Sequence, residues 1–114
     1  MNNIIQDKSF HFAVRIVNLC RFIQTEQKEF VLTKQLLKSG TSIGANVSES
    51  QQAQSRPDFV SKLNIALKEA YETNYWLRLL HETHFLTDDA FASIITDCQE
   101  LERLLISIIK TSKE

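Results

Sequence analysis

The sequence predicts an all-α fold, an antiparallel up-down four-helix bundle in a single domain over residues 1–114, on three observations. Only two glycines and one proline occur in 114 residues, where a sheet protein would need a turn signal roughly every ten. Apolar residues recur at helical spacing in four successive segments joined by short connections, which makes neighbouring helices antiparallel. Apolar residues form 43% of the chain, enough to close one core without metals or disulfides.

The first helix is expected over about 8–24. Phe10, Ala13, Val14, Val17 and Cys20 fall together and the apolar arc continues through Ile16, Ile23, Phe12 and Leu19. It covers roughly 220°, whereas an ordinary surface helix shows a stripe only somewhat wider than about 100°. The helix is therefore expected to bury two sides, one inside the bundle and one against something else.

After the polar connection TEQKE, a second helix over about 29–53 gathers Leu32, Leu36, Leu37, Gly40, Ile43, Gly44 and Val47 on one face. A mid-helix glycine costs about 1 kcal/mol against alanine, so Gly40 and Gly44 on the contact stripe suggest a close backbone approach. The opposite face carries Gln35, Ser39, Ser42 and Asn46. Short polar groups with poor helix propensity on that face hint at a second, hydrogen-bonded contact.

The third helix, expected over about 56–84, opens on Ser55-Arg56-Pro57-Asp58, an N-cap serine with proline in the first turn and an acid at N3. Its core face reads Phe59, Leu63, Ala66, Leu67, Ala70, Leu77 and Leu80, with Asn74, His81 and His84 in or beside it. Ile65, Trp76 and Leu79 lie away from that stripe, a second apolar surface of the kind that anchors interfaces. The fourth helix, expected over about 88–111, follows the Thr87 cap and the acids Asp88 and Asp89. Its face is Phe91, Ile94, Ile95, Cys98, Leu101, Leu105 and Ile109, widened by Leu104 and Ile108. Helices of about 25 residues make a bundle close to about 40 Å tall.

Formal net charge is -1, which removes the strongly basic balance that announces nucleic-acid binding by itself. The distribution is uneven. Residues 1–68 carry nine Lys/Arg against five Asp/Glu, and residues 69–114 carry four against nine, so the halves complement each other within a bundle or between subunits. The start MNNIIQDK lacks the basic and apolar regions of a signal peptide, and no run of about 18 apolar residues occurs. The expectation is a soluble, cytoplasmic protein without a membrane partner.

Catalytic and metal readings find little support. His81 and His84 have helical spacing, but zinc wants three or four protein ligands, and His11, His81 and His84 each lack the Glu three residues earlier that a di-iron bundle requires. Hydrogen-bonded, structural histidines are expected. Cys20 and Cys98 lie on apolar stripes, where packing is expected and not nucleophilic chemistry. Glu102, inside the apolar stripe of the fourth helix, is expected to pair with a cation on another helix. Gly40 and Gly44 lack the Lys-Ser/Thr ending of a phosphate loop. No catalytic, cofactor-binding or metal-binding residue is assigned, and no enzyme is expected.

The string SGTSIGANVSES, Ser39 to Ser50, followed by SRPDFVSKLNIALKEAYETNYWLRLL, Ser55 to Leu80, resembles the bacterial four-helix-bundle family first described from intervening sequences in 23S ribosomal RNA genes. The similarity covers nearly the whole chain. Its most specific parts are SIGAN at Ser42 to Asn46 with Glu49, then Ser55 with Asp58 and Phe59, then Glu72, Tyr75, Trp76 and Leu77. The resemblance implies an up-down bundle assembling into a homopentameric ring or barrel with a central channel. A related branch serves as accessory proteins of diversity-generating retroelements, where a basic pentamer binds reverse transcriptase and nucleic acid. The acidic C-terminal half and negative net charge of this chain depart from that branch, and the retroelement role is not carried across.

The reading that follows is a non-enzymatic homo-oligomeric scaffold or accessory protein, with RNA or DNA association as the first candidate activity. Lys8, Arg15 and Arg21, on the polar arc of the first helix, are its candidate contacts. Gly40, Ser42, Gly44, Asn46, Glu49, Ser55, Phe59, Glu72, Tyr75 and Trp76 are the motif, packing and interface candidates. The alternative is a protein-partner adaptor that uses the Trp76 stripe and the acidic half and binds no nucleic acid.

Overall fold

A computed structural model describes residues 3–113. Residues 1, 2 and 114, the ends of the expected 1–114 domain, lie outside the described residues. Four helices account for the fold: α1 (Ile4–Gln27), α2 (Leu32–Ser50), α3 (Arg56–Glu82) and α4 (Asp88–Ser112).

The helix ends have local causes. Helix α1 runs beyond the expected 8–24 at both ends. At its C-terminus, Thr25, Glu26 and Gln27 are compatible with helix, and only Lys28, in the left-handed region at φ 56°, ends it. Helix α2 is shorter than the expected 29–53, because Glu29 stays outside as its cap. The Glu29 carboxylate accepts from the backbone N–H groups of Val31 (2.7 Å), Leu32 (2.7 Å) and Thr33 (3.0 Å), satisfying donors that a helix start leaves open. Its charge also suits the positive end of the helix dipole. Past Ser50 the chain continues in tighter turns, with Gln51, Gln52 and Ala53 donating to carbonyls three residues back.

Helix α3 begins as its cap predicts, with Ser55 Oγ accepting from Asp58 N at 3.2 Å, while the Asp58 carboxylate accepts from Gln54 N at 3.2 Å. It stops at Glu82, two residues before the expected 84. His84 takes a left-handed φ of 68°, His84 N donates to His81 O and Phe85 N to Leu80 O. That pair of bonds is a Schellman ending with histidine in the place glycine usually fills. Thr87 Oγ1 accepts from Ala90 N at 3.1 Å and starts α4.

Each helix touches two neighbours, in the order α1, α2, α3, α4 and back to α1, with α1 and α4 the least closely apposed pair. Cross-helix contacts show every pair antiparallel: Cys20 meets Thr33 and Ser9 meets Gly44, Ser39 meets Thr73 and Glu49 meets Lys62, Ala70 meets Cys98 and Arg56 meets Ser112, Lys8 meets Glu100 and Arg15 meets Ser93. The bundle measures 45 × 20 × 20 Å.

The core is Phe12, Ile16, Cys20 and Ile23 of α1, Leu36, Ile43 and Val47 of α2, Leu63, Ala66, Ala70, Leu77 and Leu80 of α3, and Ile94, Cys98, Leu101, Leu105 and Ile109 of α4. Both glycines mark a close approach. A Cβ at Gly40 would stand 2.8 Å from Cγ1 and Cγ2 of Ile16, and one at Gly44 would stand 3.2 Å from the backbone oxygen of Ser9. Ser39, expected on the outer face of α2, is instead fully buried against α3, where Thr73 Oγ1 donates to its hydroxyl at 3.0 Å. Among the described residues no buried side-chain nitrogen or oxygen lacks a hydrogen-bond partner, as low-polarity interiors demand.

Candidate functional site

The structure divides the three candidate nucleic-acid contacts. Antiparallel packing lays the basic helix α1 beside the acidic helix α4. Lys8 Nζ pairs with Glu100 at 3.3 Å, and Arg15 pairs with Asp97 at 2.6 Å and donates to Ser93 at 3.0 Å. Both pairs are solvent-exposed, so each adds little stability, but each neutralises the cation it holds. Arg21 is exposed and in no ion pair among the described residues. Lys28 and Lys34, near the same end of the bundle, share that condition.

The motif residues are mostly tied into their own scaffold. Gly40 and Gly44 receive α1. Ser42 Oγ donates to Lys38 O at 2.7 Å and Asn46 Nδ2 to Ser42 O at 2.8 Å, so these groups bond along their own helix. Glu49 accepts from Lys62 at 3.2 Å and links α2 to α3. Ser55 caps α3, and Phe59 packs partly buried against the core. Glu72 accepts from Trp76 Nε1 at 3.2 Å, Tyr75 meets the Trp76 ring edge-on at 5.0 Å, and Arg78 lies 5.9 Å from the Tyr75 ring centre. Trp76 is half-buried, while Tyr71 and Tyr75 are exposed.

The titratable groups singled out from the sequence have structural partners. His81 Nε2 lies 2.8 Å from Asp88 Oδ1, and its ring stacks on Phe91 with centres 4.1 Å apart. His84 has left the helix, so the two-histidine spacing does not place both rings on one helical face. His11 Nδ1 lies 2.8 Å from Asp7 O. Among the described residues no group of three or more His, Cys, Asp or Glu is arranged to hold a metal ion.

Cys20 donates to Thr33 O, and burial together with the Glu29 charge pushes its thiol up to about 12. Cys98 donates to Ala70 O, and burial, reinforced by Glu102, raises its thiol further. Neither offers a thiolate at neutral pH. Among the described residues Glu102 pairs with no cation. It accepts from Asn74 Nδ2 at 3.0 Å, and Arg78 reaches the same amide, donating to Asn74 Oδ1 at 2.8 Å. An amide that donates on one side and accepts on the other takes the place the sequence reading gave to a cation. Glu69, on the same helix, has its carboxyl raised by partial burial and by Glu72.

Unpartnered apolar surface is the feature that packing does not absorb. On α1, Phe10 is 67%, Val14 44% and Phe22 60% exposed, on the side away from the buried stripe of Phe12, Ile16 and Ile23. Phe22 had not been singled out in the sequence, although its exposure belongs to the same two-sided pattern as Phe10. On α3, Ile65, Tyr71 and Tyr75 are exposed. A shallow groove of ≈ 660 Å³ runs along the N-terminal half of α3 beside the end of α4, with Pro57, Val60, Ile65, Arg56, Lys68 and Lys113 in its lining. Sequence periodicity marks Ile65 as outward-facing but gives no sign of the groove, which forms only when Ser112 and Lys113 arrive from the other end of the chain. Among the described residues no helix is long and apolar enough to cross a membrane.

Comparison with known proteins agrees with this architecture. The family model for the 23S rRNA-intervening sequence protein matches residues 1–107. A crystal structure at 1.70 Å of a protein of unknown function from the S23 ribosomal protein family, from Bacteroides thetaiotaomicron VPI-5482, is 62% identical. It superposes with a TM-score of 0.92, covering 93% of this chain and 98% of that one. No curated protein matches the chain.

Proposed function

The chain belongs to the 23S rRNA-intervening sequence protein family, and on that premise we propose that it acts by association and not by catalysis, as one subunit of a homopentameric scaffold or accessory protein. The outer face of α1 carries this reading. Three large apolar side chains, Phe10, Val14 and Phe22, stand in water on a helix whose core side is already filled. Apolar area of that kind marks a protein contact, and its removal from water contributes about 25 cal/mol per Å². The outer face of α3, with Tyr71, Tyr75 and half-buried Trp76, is a different surface of the same subunit. Joining two unlike faces is a head-to-tail contact, which closes into a ring where the rotation permits. Five is the number the family resemblance implies.

The test is solution mass by light scattering and sedimentation at micromolar concentration. The expected result is an assembly of subunits, converted to the monomer by Phe10→Glu with helicity unchanged. A species of only 13.2 kDa in the unaltered protein would sink the proposal.

Association of the assembly with RNA or DNA is the second reading, favoured by the unpaired cations Arg21, Lys28 and Lys34 toward one end of the bundle. A ring multiplies such a patch, and binding then falls steeply with salt. Titration of structured RNA over a salt series tests it: loss of affinity in Arg21→Glu supports the reading, and no binding at low salt removes it. The adaptor alternative, contact through the Trp76 stripe without nucleic acid, is then what remains.

A further inference from the structure

From the groove between α3 and the end of α4 we infer a docking site for an acidic amphipathic helical segment of a partner protein, apart from the α1 face assigned to self-association and N-terminal on α3 to the Tyr71, Tyr75 and Trp76 surface that joins it. Its lining runs from Arg56 to Lys68 along α3, about 18 Å of helix at about 1.5 Å per residue. That length accepts roughly three turns of an incoming helix, laid with its apolar side down. Pro57, Val60 and Ile65 supply apolar surface, and Ser61, Asn64 and Lys68 stand between Val60 and Ile65 on the helix.

Charge selects the occupant. Among the described residues, Arg56, Lys68 and Lys113 line the groove, no carboxylate does, and none of the three cations is in an ion pair. The Arg56 guanidinium is held in place by donating to Ser112 O at 3.3 Å, at the C-terminus of α4. A segment that carries both leucine-like residues and carboxylates matches the apolar side chains and the three cations of the lining. The outer face of α1 from a second copy does not, since it would bring Arg21 toward these cations. RNA matches the cations but finds no stacking partner, because no aromatic side chain lines the groove.

The experiment uses the whole chain and three fluorescent probes in anisotropy titrations: a 14-residue amphipathic peptide of leucine and glutamate, the same peptide with lysine for every glutamate, and a single-stranded RNA 12-mer. The expected result is saturable binding of the acidic peptide, weaker by at least about tenfold for the lysine peptide and for the Lys68→Glu variant, whose circular dichroism is unchanged. Ile65→Ser weakens the acidic peptide as well, which separates groove binding from simple charge attraction. Equal affinity for the two peptides, no saturable binding, insensitivity to Lys68→Glu and Ile65→Ser, or displacement of the peptide by RNA would overturn the inference. Dissociation of the assembly in step with peptide binding would also overturn it, by assigning the groove to a second copy.

Discussion

Replacing Gly40 with alanine sets helix propensity against packing, and the structure says which wins. Alanine in place of glycine gains about 1 kcal/mol in a helix interior. Against this, the new Cβ would lie 2.8 Å from both Cγ1 and Cγ2 of Ile16, where carbon pairs prefer about 3.5–4.0 Å. Ile16 is fully buried and β-branched, so it has no free rotamer to retreat into. Overpacking of this kind costs about 1–3 kcal/mol, leaving a net loss of about 1 kcal/mol, or about 4 °C in Tm for a chain of this size. In an Ile16→Ala background both Cγ atoms are gone. There the Cβ at position 16 still lies 3.2 Å from the new Cβ and takes up part of the gain, so the same Gly40→Ala change is expected to stabilise by less than about 1 kcal/mol, a coupling of about 1–2 kcal/mol between the two sites. Urea unfolding followed by circular dichroism measures all four proteins, at one fixed protein concentration so that the proposed self-association weighs equally on each. Gly40→Ala stabilising both backgrounds equally would refute the close approach of α1 to α2.

Three further outcomes follow from the same structure. Gly44→Leu is expected to destabilise by about 1–3 kcal/mol, because its side chain meets the Ser9 backbone, which cannot rotate aside; an unchanged melting curve would contradict this. His84→Gly relieves a left-handed residue in the Schellman ending of α3 and is expected to raise stability by about 0.5–1 kcal/mol in thermal melts, whereas a loss would mean the His84 side chain holds the turn. The thiols of Cys20 and Cys98 ionise near 9.0 when unfolded but only at about 12 or above when folded. The unfolded state therefore holds fewer protons between these values, so this contribution to stability is intact below pH 9 and declines as pH rises toward 12. Urea midpoints at about pH 8 and about pH 11 should fall further for the natural chain than for a Cys20→Ala/Cys98→Ala variant; parallel falls would show that the thiols are not buried.

What the sequence made legible was whatever depends on local spacing. The stripe of Leu36, Ile43 and Val47, the Ser55 cap and the close approach at Gly40 and Gly44 are all properties of one helix read at 3.6 residues per turn. What escaped it depends on a partner far along the chain. Ser39 reads as an outer-face serine until α3 brings Thr73 to its hydroxyl. Lys8 and Arg15 read as free cations until α4 lays Glu100 and Asp97 beside them. Glu102 has the apolar position that suggests a buried ion pair, and only the tertiary register supplies an amide instead. Glu29 was missed for a nearer reason: its side chain reaches forward by two to four residues, and a glutamate looks like a helix former in any periodicity.

The uneven fit of α1 has a mechanical meaning. Along α2 this helix is seated with its Ser9 backbone against Gly44 and its Ile16 side chain against Gly40, but along α4 it is the least closely apposed of the neighbouring pairs and is bridged by two ion pairs open to water. Ions screen such pairs at physiological strength, whereas a seated backbone contact does not respond to salt. Salt therefore acts on the closure of the bundle along α4 and leaves the seat of α1 on α2 unaffected.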